Sequence, residues 1–261
     1  MKIVCIGTGA MGSAIFKAVC KKYAPAEITM TNRTVEKARL FAEENGCNFC
    51  ESNKEAIDGA DFVFLAVKPQ CLEDVFSEIN ESLEQTQVVV SMAAGVPLEK
   101  LQSLSPKARF IRIMPNVGAQ VGQGMTAFCC AKNILGLEKP LLRDILSPTG
   151  FVEEIPESLM DCVTAVSGSS PAFVFLFIEA LADAAVRCGM SRAQSYVFAA
   201  QTVKGAASLV LETGKHPAVL KDSVCSPAGT TIEGVAALEA NGFRSAVIEA
   251  VVKSYKQSLS M

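Results

Sequence analysis

The chain has 261 residues, half of them hydrophobic and a fifth charged, which allows more than one core and excludes a disordered chain. Its formal net charge of −3, with acids and bases interspersed, removes the electrostatic case for nucleic acid or an anionic membrane surface. The ten cysteines are scattered, only Cys47 and Cys50 form a Cys-x-x-Cys pair, and the single histidine, His216, is far from both. That pattern supplies no metal-ligand set, so Cys47 and Cys50 read as reduced thiols in a strand region and no metal is expected. Met1-Lys2 leads straight into a short strand with no apolar targeting segment, and the longest apolar run, 172–178, is too short to span a bilayer. A reduced, cytoplasmic setting is the expectation.

In chain order the pattern predicts a strand over 3–6, a helix over 10–23, a strand over 28–31, and a helix running from a Thr34 cap to about residue 44. A weak strand over 47–50 precedes a strong one over 61–67, then a helix over 71–79, a strand over 87–92, a helix over 98–104 and a strand over 110–114. Buried strands alternating with amphipathic helices predict a parallel sheet covered on both faces. From Pro171 onward no strand is evident, and helices are expected over 171–187, 192–211, 230–240 and 244–258, with Gly189, Gly214 and Gly242 at their ends. Phe173, Val174, Phe175, Leu176, Phe177 and Ile178 are consecutive, so that helix is apolar all round and needs cover on every side. A helical domain of about 100 residues rarely has enough neighbours of its own, which points to a second subunit; a central helix enclosed by its own domain is the alternative.

Gly7-Thr8-Gly9-Ala10-Met11-Gly12 follows the first strand and opens the first helix. Gly7 permits the turn, Gly9 lets a pyrophosphate approach the backbone, Gly12 lets helix and strand pack closely, and the helix N-terminus offers N–H groups to phosphate. This is a dinucleotide-binding start, with a glycine-rich packing turn as the plainer reading. The chain therefore reads as an α/β Rossmann-type N-terminal domain, 1–156, followed by an all-α C-terminal domain, 157–261. At the end of the second strand stand Thr31-Asn32-Arg33-Thr34, with no carboxylate to repel a phosphate. Arg33 offers a bidentate cationic partner, favouring the 2′-phosphate of NADPH without closing the site to NADH; an exposed Arg beside a Thr cap is the alternative.

Three more strand exits gather on the same sheet edge: Leu65-Ala66-Val67-Lys68-Pro69-Gln70, Ser91-Met92-Ala93-Ala94-Gly95 and Arg112-Ile113-Met114-Pro115-Asn116. Far along the chain, Asp222-Ser223-Val224-Cys225-Ser226-Pro227-Ala228-Gly229-Thr230-Thr231-Ile232 runs into a helix. The first-turn N–H groups and the two threonine hydroxyls could cradle a carboxylate, and a simple helix cap fits these residues equally well.

Together with Ser-Gly-Ser-Ser-Pro-Ala at 167–172, these motifs resemble, over essentially the whole chain, the pyrroline-5-carboxylate reductase family. The resemblance implies hydride transfer from NADPH or NADH to the ring imine of 1-pyrroline-5-carboxylate, giving L-proline in the last step of proline biosynthesis. It implies a substrate carboxylate held by Ser226, Gly229, Thr230 and Thr231, chiefly on the last three N–H groups, with the Thr231 hydroxyl near the substrate nitrogen as a catalytic helper. It implies cofactor contacts at Ile6, Gly7, Thr8, Gly9, Ala10, Met11, Asn32, Arg33, Asn53, Ala66, Val67, Lys68, Pro69, Ala93, Ala94 and Gly95. It also implies a homodimer through the helical domain, with a decamer of five dimers in many members. Two departures stand out. Ser170 occupies a position where the family often has glycine, and Ala228 another, where a positive φ would be strained.

Two rivals remain open on the residues. A hydroxy-acid dehydrogenase of the same two-domain plan would place a lysine after a glycine-rich helix start, whereas Lys204 falls mid-helix with Gly205 after it. A non-catalytic nicotinamide sensor would need no carboxylate cradle. His216 precedes Pro217 in a predicted surface turn, which leaves little for histidine-dependent catalysis.

Overall fold

The computed structural model describes residues 1–260. The chain forms β1 (Ile3–Ile6), α1 (Ala10–Val19), β2 (Ile28–Thr31), α2 (Val35–Asn45), β3 (Asn48–Phe49), α3 (Asn53–Ala56), β4 (Phe62–Leu65), α4 (Leu72–Ile79), β5 (Val88–Ser91), α5 (Leu98–Leu104) and β6 (Arg109–Met114). It continues through β7 (Gly124–Cys130), α6 (Glu138–Leu146), β8 (Gly150–Glu154) and α7 (Met160–Val163). A π-helical stretch, Thr164–Ser169, leads into α8 (Ser170–Arg187), α9 (Arg192–Thr213), α10 (Pro217–Ser223), α11 (Thr230–Ala240) and α12 (Phe243–Leu259).

The strands make one eight-stranded sheet in the order β3-β2-β1-β4-β5-β6-β7-β8. Alternate residues of each strand feed two apolar layers, Val4, Ile6, Val63 and Leu65 on one face and Ile3, Cys5, Phe62 and Phe64 on the other. That double burial is why the strands read as continuous apolar runs. On the second face Phe16 of α1 meets Phe64 edge-on at 5.3 Å.

The sheet is not wholly parallel: β6 and β7 run antiparallel, and β7 and β8 parallel. Only a short 3₁₀ turn over Val117–Val121, closed by Gly122 at φ 69°, joins β6 to β7. A parallel crossover needs about a dozen residues or more, so the chain must reverse there. Thr34 sits at the start of α2 but its side chain makes no capping bond, and Asn32 Nδ2 donates to the Thr34 carbonyl in the turn before the helix.

The chain divides into two units, Met1–Gly168 with the residues from Tyr255 onward, and Ser169–Ser254. In the first, Ser258 donates to Asp161 at 2.7 Å and ties the C-terminal turn down. In the second, Phe177 packs on Phe243 with ring centres 5.9 Å apart, but Phe175 and Leu176 remain 63% and 67% exposed. The helical domain by itself therefore does not enclose this helix. Residues 172–178 alone are short of a bilayer, yet the run Glu157–Arg187 is 31 residues and, by length and composition only, apolar enough to cross one. A helix covered by protein on every side meets the same criterion. α10 was not predicted. It begins at Pro217, with the exposed His216 capping it through Nδ1, which accepts from the Ala218 N–H at 3.2 Å.

Candidate functional site

Parallel pairing in register, Ile6 beside Thr31 and Leu65, and Leu65 beside Ser91, brings the exits of β1, β2, β4 and β5 to one edge of the sheet. Gly7 leaves β1 at φ +109°, and a Cβ there would stand 2.5 Å from the Ala66 carbonyl oxygen. At Gly12 a Cβ would meet the Gly7 oxygen at 2.6 Å and the Ala66 Cβ at 2.7 Å, so α1 can lie this close to the β1 and β4 exits only without a side chain. Behind the turn the buried Cys5 thiol donates to the Gly7 carbonyl at 3.4 Å; burial pushes its pKa well up and keeps it a thiol.

Gly9 is different, since the nearest atom to a Cβ there would be 3.9 Å away. That open space adjoins the first turn of α1, whose N–H groups have no partner within the helix. A phosphate fits such a place both sterically and electrostatically.

Asn32 ties the glycine loop to the β2 exit: its Oδ1 accepts from the Thr8 N–H at 3.3 Å and its Nδ2 donates to the Thr34 carbonyl at 3.0 Å. The exposed Arg33 follows it. A cleft of 480 Å³ then gathers Ile6, Gly7, Gly9, Asn32, Arg33, Asn53, Ala66, Val67 and Lys68. Thr8 and Ala10 line a separate hollow of 580 Å³ on the α2 side of the loop, and Met11 packs against the core. Pro69 lines a third hollow with Gln70 and Val96. Ala93, Ala94 and Gly95 form the β5 exit, where Gly95 turns at φ +73°.

The same cleft is lined by Glu51, Cys71, Asp74, Val75 and Glu78, which the sequence reading did not single out. A signal was present: α4 buries Leu72, Val75, Phe76 and Ile79, which leaves Asp74 and Glu78, four apart, together on a flank.

In the second unit, residues 226–231 form a turn into α11. The Gly229 N–H donates to the Ser226 carbonyl at 3.0 Å, and a Cβ on Gly229 would stand 2.2 Å from Ser226 Oγ. Gly229 therefore already uses its N–H within the turn, and Thr230 and Thr231 supply the first-turn N–H groups that have no helical acceptor. Ala228 has φ 55°, the sole positive value outside glycine among the described residues. The strain expected of alanine at this position is present, on the order of 1–2 kcal/mol.

Comparison with known proteins agrees with this geometry. Residues 157–261 match the model of a family described as pyrroline-5-carboxylate reductase dimerisation, and residues 2–95 match one described as NADP oxidoreductase, coenzyme F420-dependent. The pyrroline-5-carboxylate reductase of Escherichia coli K12 is 46% identical over 260 residues, covering 98% of this chain and 97% of that protein. The chain belongs to the pyrroline-5-carboxylate reductase family. The reductase of Arabidopsis thaliana is 38% identical over 98% of this chain and 94% of its own length. Among solved reductases, that of Coxiella burnetii superposes with a TM-score of 0.91 at 31% identity, covering 98% of this chain and 97% of that one. That of Plasmodium falciparum, solved with NADP bound, gives 0.88 at 31% identity, covering 100% and 97%. The matched C-terminal region makes this chain a homo-oligomer-forming member, and no finding favours a hydroxy-acid dehydrogenase or a sensor.

Proposed function

We propose that the 480 Å³ cleft holds the cofactor and the turn at 226–231 holds the substrate of a pyrroline-5-carboxylate reductase. The reaction is reduction of the ring imine of 1-pyrroline-5-carboxylate to L-proline, with NADPH as reductant and NADH as the alternative. When bound, the reduced nicotinamide supplies the hydride. The supporting observation is the convergence of Gly9, Asn32, Arg33, Asn53 and Lys68 on one cleft beside the α1 N-terminus. Arg33 takes the 2′-phosphate, the glycine loop from Ile6 to Met11 takes the pyrophosphate, and the 66–69 and 93–95 exits take the nicotinamide half.

The Thr230 and Thr231 N–H groups and the Ser226 hydroxyl anchor the substrate carboxylate. That anchoring fixes which face of the imine is exposed, and orientation of this kind contributes several kcal/mol, on the order of 7–11 at best. The Thr231 hydroxyl donates to the ring nitrogen. As a weak acid it assists proton delivery without being essential.

On the same reading, residues 1–156 handle the nucleotide and residues 157–261 handle substrate and dimerisation. The exposed Phe175, Leu176, Val197 and Phe198 are the surface a second copy would cover, with a decamer of five dimers as the further assembly. Ten free thiols fit a cytoplasmic setting. The test is NADPH oxidation followed by absorbance, first with 1-pyrroline-5-carboxylate and then with a panel of keto acids. Turnover with the imine alone is expected; turnover with the panel alone would overturn the assignment.

A further inference from the structure

Asn53 is held from three directions. Its Oδ1 accepts from the Thr31 hydroxyl at 2.8 Å, its Nδ2 donates to Glu78 Oε2 at 2.7 Å, and its backbone N–H donates to Glu78 Oε1 at 3.2 Å. Asn53 and Glu78 both line the cleft that holds Arg33. The two partners differ in kind: a threonine hydroxyl can donate or accept, so Thr31 tolerates either end of the amide, whereas an ionised carboxylate only accepts. Turning the amide over would set Oδ1 against the Glu78 oxygens. Glu78 therefore decides which end faces which way. With one Oδ1 lone pair and one Nδ2 hydrogen engaged, the second Nδ2 hydrogen is the donor the amide has left for a ligand, and the remaining Oδ1 lone pair stays at the end bound to Thr31.

We propose that Glu78 is a positioning residue for the adenosine end of the cofactor, acting through Asn53, whose amide it holds in one orientation so that the free Nδ2 hydrogen is always at the same end. The inference rests on the reading of Asn53 as a cofactor contact. A ribose phosphate presents only acceptors, so a donor of fixed orientation favours it, and a carbonyl oxygen in its place would repel it. The Glu78 charge acts in the opposite sense, since an unscreened carboxylate in the same cleft disfavours a phosphate. Two hydrogen bonds from Asn53 bind that carboxylate, and we infer that positioning outweighs repulsion.

Steady-state constants for NADPH and NADH in Glu78→Ala, Glu78→Gln, Asn53→Ala and the Asn53→Ala/Glu78→Ala double variant test this. Glu78→Ala should raise the NADPH KM about tenfold, equivalent to about 1.4 kcal/mol, while kcat at saturation changes by less than about twofold. Glu78→Gln keeps an acceptor for Nδ2 and should recover most of the loss. In the Asn53→Ala background, removing Glu78 should cause no further rise in NADPH KM, and loss of the carboxylate's repulsion should leave it equal to or below that of Asn53→Ala alone. An equal loss in both backgrounds, a fall in kcat at unchanged KM, or a lower NADPH KM in either Glu78 variant would overturn the proposal. An unchanged NADPH KM in Asn53→Ala would overturn the assignment of Asn53 itself. If Glu78→Ala fails to fold, Glu78→Met, which fills similar space without an oxygen acceptor, and the Asn53→Ala/Glu78→Met double variant make the same comparison: a rise in NADPH KM with Asn53 intact and none in the Asn53→Ala background supports the proposal, and any other pattern overturns it.

Discussion

At the residue scale, the substrate turn concentrates unusual requirements in a few atoms. Gly229 cannot carry a Cβ while Ser226 Oγ stays where it is, 2.2 Å from that position. Gly229→Ala should therefore lower Tm and raise the KM for 1-pyrroline-5-carboxylate by about tenfold or more, and a second change, Ser226→Ala, should recover part of the Tm by removing the clashing hydroxyl while leaving the KM high, since a carboxylate contact goes with it. No recovery would mean that the backbone, and not that hydroxyl, sets the constraint. Thr231→Ala keeps the N–H and loses the hydroxyl, so kcat should fall by about tenfold, below the 10²–10⁴ of a committed acid, with a smaller change in substrate KM. Thr231→Ser should keep most of the turnover. If kcat and KM are both unchanged in Thr231→Ala, that hydroxyl has no part in the reaction. Glycine spacing made the cofactor loop legible in the sequence, because steric exclusion of a Cβ is a local property. Alanine at position 228 carries only a conditional risk of strain in the sequence, and the folded loop realises it, at φ 55°.

At the element scale, the proposed cofactor site is a set of strand exits, and on that reading its selectivity belongs to β2. Arg33 is exposed, residues 31–34 around it contain no acid, and it shares its cleft with Glu51, Asp74 and Glu78. Arg33→Ala should raise the NADPH KM about tenfold and leave the NADH KM within about twofold, and the NADPH effect should shrink as salt rises because the site is open to solvent. Equal effects on the two cofactors would assign Arg33 to the surface. The alternation of elements up to β6 was readable, since buried parallel strands appear as continuous apolar runs between amphipathic helices. The segment after residue 115 was not: the direction of β7 depends on a connection too short to cross the sheet, and α10 follows the His216-Pro217 pair without an apolar stripe. Asp74 and Glu78 carried an i,i+4 signal on α4, but a pair of acids on a helix flank usually reads as a solvated face.

At the scale of the whole molecule, the exposed side chains of α8 and α9 are the largest unfinished business of a single chain. Phe175, Leu176, Val197 and Phe198 are each more than 60% exposed, and the family match over residues 157–261 is to a dimerisation region. Leu176→Asp should shift sedimentation from oligomer towards monomer, lower soluble yield and lower kcat together, because a buried unpaired carboxylate at an apolar contact costs several kcal/mol. Sedimentation identical to the parent protein would remove this helix from the subunit contact.

The sequence by itself determined the class of each half of the chain, the place of the glycine loop, the cationic end of β2, and a helix whose apolar surface runs all the way round. These are local properties: repeat period, the absence of a Cβ, side-chain charge. Tertiary structure decided the direction of β7, the engagement of the Gly229 N–H within its turn, and the orientation of the Asn53 amide. That amide is set by Thr31 and Glu78, 22 and 25 residues away in sequence. Hydrogen bonds between groups so far apart form only once strands and helices have packed, so no local pattern encodes which end of this amide meets Thr31 and which meets Glu78.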